Sequence, residues 1–292
     1  MDRRNFMHFG CAALCTLSYP VLAKNFQASQ TKLAALEGET GGRLGIACID
    51  TATGKAFGYR ADERFPMCST FKWLAGAALL KQVDEKTKRL DQRIRFSHKQ
   101  LLGGSPVTQK FADTEGMSLA ALCEAAIADS DNTAANLIVE TLGGIPAWNA
   151  YVRTLGDQLT HLDHPEPFLN KTQMGDKRNT TTPSAMCANL KHVLLEDALS
   201  PSSREQLKQW MLATRTGKQR LRKDLNSGWT LANKTGTGDA ETGTANDIGI
   251  YWPPTGQPIV LTVYLTHAHV PLAQQEAAIA QVGHWVRDGW RA

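Results

Sequence analysis

The chain carries no strong excess of either charge. Its 32 Lys and Arg stand against 28 Asp and Glu, a formal charge of +4 at neutral pH. The few surplus cations are dispersed, which excludes nucleic acid and a basic membrane-binding face as partners. Internal repeats and low-complexity tracts are absent, which excludes solenoids and arrays. Cysteine is sparse, and beyond the N-terminal segment only Cys48, Cys68, Cys123 and Cys187 remain. That number does not build a disulfide scaffold in a chain of this size, so they read as small buried apolar residues with reduced thiols. No cluster of His, Cys and carboxylates has ligand spacing, so neither a metal nor another cofactor is expected. No membrane-spanning run follows the N-terminal segment.

What is present is enough for one large domain or two closely packed lobes: 292 residues, 42% of them apolar. Residues 1–23 read as an export signal. Arg3-Arg4-Asn5-Phe6-Met7 is a charged start, an apolar run through Cys11, Leu14 and Leu17 follows, and Val21-Leu22-Ala23 ends in a small residue suited to cleavage. The Arg-Arg-x-Phe pattern also fits a twin-arginine signal, so both export routes stay open.

Arg43–Asp50 alternates like a strand, Thr53-Gly54 marks a turn, and 55–59 returns as a second strand. From Thr70 to Lys81 apolar residues recur at helical spacing. Segments 119–129, 132–142, 183–199 and 203–212 also read as helices, with Pro183 suited to a first turn. Strand signals resume at 229–234, 247–252 and 258–266, before a last amphipathic helix over about 272–286. Both ends therefore supply strands and the middle supplies helices. The economical arrangement is an α/β lobe from 24–61 and 213–292, an antiparallel sheet with terminal helices against it. An all-helical lobe, 62–212, is inserted. A ligand cleft then falls between the lobes.

Ser69-Thr70-Phe71-Lys72 places a hydroxyl nucleophile three residues before an amine, on one helical face. Alone the pattern is weak. Roughly one S-x-x-K is expected by chance in such a chain, and Ser29-Gln30-Thr31-Lys32 is a second copy, read as an exposed start of the mature chain. Ser130-Asp131-Asn132 and Lys234-Thr235-Gly236 follow in order, supplying polar walls for attack on a carbonyl beside a carboxylate. Taken singly, the first is a common helix cap and the second a common strand end.

Together these motifs resemble the serine penicillin-recognising enzymes, β-lactamases and penicillin-binding transpeptidases. Glu166-Pro167-Phe168-Leu169-Asn170 is similar to the E-x-x-L-N segment of class A β-lactamases, which transpeptidases lack. Pro66-Met67-Cys68, Ser105-Pro106-Val107-Thr108 and Asn179-Thr180-Thr181-Thr182-Pro183 agree. The resemblance covers nearly all of the chain after the N-terminal segment. It implies the serine β-lactamase/transpeptidase-like α/β + α fold and a periplasmic, monomeric hydrolase of penicillins and cephalosporins that confers antibiotic resistance.

The resemblance also implies roles. Ser69 is acylated, Lys72 relays or takes a proton, and Ser130 passes one to the leaving nitrogen. Glu166 is the general base for a water that Asn170 helps to hold. Which of Lys72 and Glu166 serves acylation stays open. The backbone N–H groups of Ser69 and Thr237 form the oxyanion hole. Asn132 accepts from and donates to the substrate amide, Gly236 leaves room for the acyl group, and Lys234, Thr235, Thr237 and Arg220 hold the carboxylate. A DD-peptidase, or a non-catalytic receptor that stays acylated, are the competing readings; Glu166 and Asn170 argue against the first, and the lack of an output segment against the second.

The chain departs from this family in three places. An Arg–Asp pair usually pins the loop that carries Glu166; here His164 and Asn179 occupy those positions, which predicts a looser loop. Gly104 replaces an aromatic at the cleft mouth. Cys68 matches a cysteine that some members bridge to one after K-T-G, where this chain has Gly238. The matching partner of Cys123 is likewise missing, at Gly76 and Ala77.

Overall fold

The computed structural model of the protein describes residues 19–171 and 173–289. Most of the expected export segment, residues 1–18, lies outside the described residues. In chain order the elements are α1 (Tyr19–Thr40), β1 (Arg43–Asp50), β2 (Ala56–Tyr59), β3 (Phe65–Pro66), α2 (Phe71–Asp84), β4 (Arg93–Ile94) and β5 (Met117–Ser118). Helices α3 (Leu119–Ala128), α4 (Asn132–Leu142) and α5 (Ile145–Thr154) follow, then β6 (Thr180–Thr181), α6 (Pro183–Leu195) and α7 (Pro201–Leu212). The chain closes with β7 (Thr230–Thr237), β8 (Ala245–Trp252), β9 (Ile259–Thr266) and α8 (Leu272–Arg287).

Strands from the two ends form one antiparallel sheet in the order β2-β1-β9-β8-β7. Side chains alternate between its faces, as the two-residue period of a strand requires. Leu44, Ile46, Leu261, Val263 and Leu265 join Leu33 and Leu36 of α1 and Ile279 and Val282 of α8 in one core. Ala47, Val260, Tyr264, Ile248 and Ile250 face the other way, into the core of the helical layer. Because both faces are covered, β9 is buried along its whole length.

Helix α2 lies at the centre of that layer. Every residue from Phe71 to Leu80 is buried, including Lys72, so the helix has no wet face before its last turn. Asp131, fully buried, ties the layer together. Its carboxylate accepts from Ala134 N at the start of α4 and from the backbone of Val107 and Thr108. The side chain is at once an N-cap and a clamp on the loop over the cleft.

The structure corrects several local expectations. Ser29 is not an exposed start: it is buried within α1, and its neighbour Gln30 donates to Gly58 O at 2.9 Å. The cause is tertiary, since Leu33 and Leu36 press this helix onto the sheet. Helix α6 stops at Leu195, where Glu196 leaves helical geometry. Helix α7 begins earlier than the pattern suggested, at Pro201, because Ser200 caps it and Asp84 accepts from Ser200 N and from the Ser200 and Ser203 hydroxyls. Helix α5 was not legible from the pattern. It follows the left-handed Gly143-Gly144 pair and buries Trp148, Tyr151 and Val152 at i, i+3 and i+4. The inserted stretch is not wholly helical, because β3 pairs with β6 and β4 with β5.

Replacing Asp131 by Ala would strand the three buried N–H groups it satisfies. The expected loss is about 3–5 kcal/mol of unfolding free energy, measured by urea denaturation; a loss below about 1 kcal/mol would contradict the clamp.

Candidate active site

Ser69 sits in a 3-10 turn, Cys68–Thr70, that feeds directly into α2. Cys68 holds φ at +46°, a sharp backbone turn before Ser69. Strand β7 comes close to this turn because residue 236 is glycine: a Cβ there would stand 2.7 Å from Met67 O. Gly236 was expected to make room for an acyl group; its hydrogen faces the backbone of the serine turn instead, and the close approach needs it. Asn246, on β8, reinforces the contact by donating to Pro66 O and Met67 O at 2.9 and 3.1 Å.

Lys72 Nζ lies 2.9 Å from Glu166 Oε1, 2.6 Å from Asn132 Oδ1 and 2.8 Å from Ser130 O. Three acceptors match the three protons of an ammonium. Burial pushes the Lys72 pKa down, and the Glu166 carboxylate opposes that shift. Ser69 Oγ donates to the same Glu166 Oε1 at 3.2 Å. The Ser69 hydroxyl and the Lys72 amine therefore converge on one Glu166 oxygen.

Glu166 is aimed from outside α2 by two Asn side chains. Asn136 on α4 accepts from Glu166 N and donates to Glu166 O, both at 3.0 Å, fixing the backbone. Asn170 Nδ2 donates to Glu166 Oε2 at 2.7 Å. The Asn170 Oδ1 atom is buried without a protein partner. The Glu166–Pro167 peptide is cis.

Lys234, fully buried, donates to Ser130 Oγ at 3.0 Å and to Thr235 O at 2.9 Å. Burial, helped by the Lys72 charge, drives its pKa well down. Ser130 adopts φ +61°, which turns its carbonyl toward Lys72. Asn132 spends its carbonyl on Lys72 and one N–H on Gly103 O at 2.8 Å. Its other N–H and the second lone pair of its carbonyl are left for a ligand. Gly104 sits beside it at φ +75°, and a Cβ there would approach Asn132 Nδ2 to 2.9 Å.

Arg220 is not a solvated surface side chain: it is 4% exposed. Its Nη1 donates to Gly236 O and Asn246 O at 2.9 Å, its Nη2 to Thr237 Oγ1 at 2.8 Å, and its Nε to Glu276 Oε1 at 3.1 Å. The guanidinium thus reaches the outer end of β7 from behind. Thr235 Oγ1 meets Thr216 Oγ1 at 2.7 Å.

A model of the β-lactamase enzyme family matches residues 28–290. Beta-lactamase AER-1 of Aeromonas hydrophila is 41% identical over 282 residues, 95% of this chain and 91% of that protein. This chain belongs to the class A β-lactamase family. Beta-lactamase FAR-1 of Nocardia farcinica is 44% identical over 248 residues, covering 85% of this chain and 78% of that protein. The solved structure of an ancestral class A β-lactamase of Gram-negative bacteria superposes with a TM-score of 0.86 at 53% identity, covering 89% of this chain and 98% of that one. The protein is accordingly a hydrolase acting on β-lactams, with the α/β + α fold of its class.

Sequence patterns assigned no role to Asn136, Asn246, Asp247 or Glu276. Asp247 is fully buried behind β7 and accepts from Asn233 Nδ2 at 2.8 Å and from Leu221 N at 3.1 Å. Asn233 Oδ1 in turn accepts from Arg222 at 2.6 Å. This chain of bonds anchors the loop that presents Arg220. A hydrophilic residue alternating with apolar ones in a buried strand was the available signal. No disulfide joins the four cysteines among the described residues. Cys68 Sγ lies 3.5 Å from where a Cβ on Gly238 would stand.

Burial raises the Asp247 pKa from 3.8 to about 6, against the pull of Asn233 and Arg220. The folded state therefore holds this proton more tightly than the unfolded chain, so its contribution to stability rises as pH falls through about 6. Between pH 7 and pH 5 the enzyme should gain about 1 kcal/mol relative to Asp247→Asn. Paired denaturation curves measure it; a pH-independent difference between the two proteins would refute the titration.

Proposed function

We propose that the protein hydrolyses penicillins and cephalosporins through an acyl-enzyme on Ser69 and releases the product with water activated by Glu166. The observation that carries the reading is the shared environment of Glu166: one carboxylate oxygen bonds the Ser69 hydroxyl, the other bonds Asn170 Nδ2, and Asn170 Oδ1 is buried with no protein partner. A water bonded to Glu166 and Asn170 is then delivered beside the ester carbon.

In this reading Ser69 Oγ attacks the ring carbonyl. Its proton passes to the Lys72–Glu166 pair through Glu166 Oε1, which the Ser69 hydroxyl bonds and Lys72 Nζ contacts. The developing oxyanion is met by the backbone N–H groups of Ser69 and Thr237. Ser130, bonded to Lys234, delivers a proton to the ring nitrogen as the C–N bond breaks. Lys234, Thr235, Thr237 and Arg220 hold the substrate carboxylate, and Asn132 donates to its side-chain amide. Gly236 keeps β7 against the serine turn. Deacylation follows when Glu166 takes a proton from the water.

The lobes are assigned as 24–61 with 213–292, and 62–212, with the substrate cleft between them. No helix among the described residues is long and apolar enough to cross a membrane. The protein is assigned to the periplasm as a monomer after signal removal, where it confers resistance to small-molecule β-lactam antibiotics.

Replacing Glu166 by Ala should slow deacylation by about 10²-fold or more while acylation persists. Mass spectrometry should then show one intact substrate added to the enzyme, with a stoichiometric nitrocefin burst. A wild-type enzyme that itself stalls after one equivalent would refute hydrolysis and leave the DD-peptidase and receptor readings. Replacing Arg220 by Ala should raise the KM for benzylpenicillin by about tenfold; an unchanged KM in a folded variant would remove Arg220 from carboxylate binding.

A further inference from the structure

The loop that delivers Glu166 is closed by Asn179, and the bonding of Asn179 constrains the chemical state of His164. Asn179 Oδ1 accepts from Asp163 N at 2.8 Å and from His164 N at 2.9 Å. Asn179 N donates to Asp163 Oδ2 at 2.9 Å. Asn179 O accepts from Met67 N, two residues before the nucleophile, at 2.9 Å. Asn179 takes φ +55°, a left-handed conformation that Asn tolerates well. One residue thus joins the start of the Glu166 loop to the serine turn.

These bonds leave no choice in the orientation of the amide. With Oδ1 facing two backbone donors, Nδ2 is the atom that faces His164 Nδ1, at 3.1 Å. An amide nitrogen only donates, so His164 Nδ1 must accept. The imidazole is then neutral, with its proton on Nε2. A protonated ring would set N–H against N–H. Flipping the amide to cure that clash would turn Oδ1 away from both backbone donors and strand them.

We propose that His164 is a positioning residue for Glu166, acting as the neutral Nε2–H tautomer, and that its protonation releases the loop. It rests on the proposed role of Glu166 in deacylation. His164 lies two residues before Glu166, so the loss reaches the general base through the backbone that Asn136 and Asn179 hold. An Arg–Asp pair at these positions would stay charged across the same pH range, whereas this pair holds only while the imidazole is unprotonated.

The charged groups around the imidazole come from both arms of the loop. Asp163 precedes it and is bonded to Asn179 N and to His161 Nε2, the latter at 3.1 Å. Asp176 on the returning arm interacts with His164 and is paired with Arg178 at 2.8 Å. Arg64 reaches the same arm by donating to Thr180 Oγ1 at 3.0 Å, and Lys177 lies beside it.

The test compares the wild type, His164→Gln and the double variant His164→Arg/Asn179→Asp between pH 8 and pH 5. Deacylation of a preformed benzylpenicilloyl enzyme is followed by mass spectrometry, and acylation is followed separately by stopped flow. The expected result is an additional fall of about tenfold in wild-type deacylation on the acid side. The double variant should lack it, and acylation should change less. Superimposable deacylation profiles for the wild type and the double variant would overturn the proposal. A readout independent of variant folding is the long-range ¹H–¹⁵N spectrum of wild-type His164 at pH 8. An unprotonated Nδ1 and protonated Nε2 support the proposal; the opposite tautomer refutes it. The Glu166→Ala variant separates the two readings: if it fails to trap the acyl-enzyme, the deacylation role of Glu166 fails, whatever the His164 profile shows.

Discussion

The structure depends on a buried ammonium. Lys72 has no exposed surface, and burying such a charge without partners is prohibitive. Its three acceptors come from three places: the Glu166 loop, the left-handed turn at Ser130 and the first residue of α4. Each must be held still for the charge to be tolerated. Satisfying Lys72 and assembling a hydrolytic site are therefore the same structural problem. The apolar surround of α2 makes the cost of an unmet lysine high, and its lowered proton affinity follows from that surround.

Three side chains solve the problem of holding loops over a rigid frame. Asp131 gathers N–H groups from the loop at Val107–Thr108 and from the start of α4. Asn179 gathers those of Asp163 and His164. Asp247 gathers Leu221 N and the Asn233 amide behind β7. In each case one short polar side chain replaces water for backbone donors that would otherwise be stranded. The loops that carry chemistry are long and irregular, so these hubs do what a helix or sheet ladder does elsewhere.

The departures from the family pattern have local consequences in this frame. With Gly104 the chain adopts a left-handed turn against Asn132, where a larger residue would crowd the amide. With His164 and Asn179 the loop closure is a neutral hydrogen bond joined to four backbone bonds, not an ion pair. With Gly238 the thiol of Cys68 stays buried and free, and burial pushes its pKa up.

Much of the fold was legible because strand and helix periods differ, and here they segregate along the chain. Strands β1 and β9, helix α4 and the inserted helical layer follow from pattern alone. The same holds for the family, since Ser69–Lys72, Ser130–Asn132, Lys234–Gly236 and Glu166–Asn170 are local strings with a fixed order. What the string could not show is which groups face each other across 60–180 residues of chain. Ser29 and Ser69 open equivalent S-x-x-K patterns, and only packing buries one within a helix against the sheet and sets the other beside Glu166. Arg220 was named from the sequence, but only packing shows Gly236, Thr237 and Glu276 closing around it. Residue types and their order determined the reaction class by themselves. The protonation states, the bonds that Asn179 makes in closing the loop and the supports at Asn136 and Asp247 were decided by tertiary structure, because burial and hydrogen-bond demand exist only once distant segments meet.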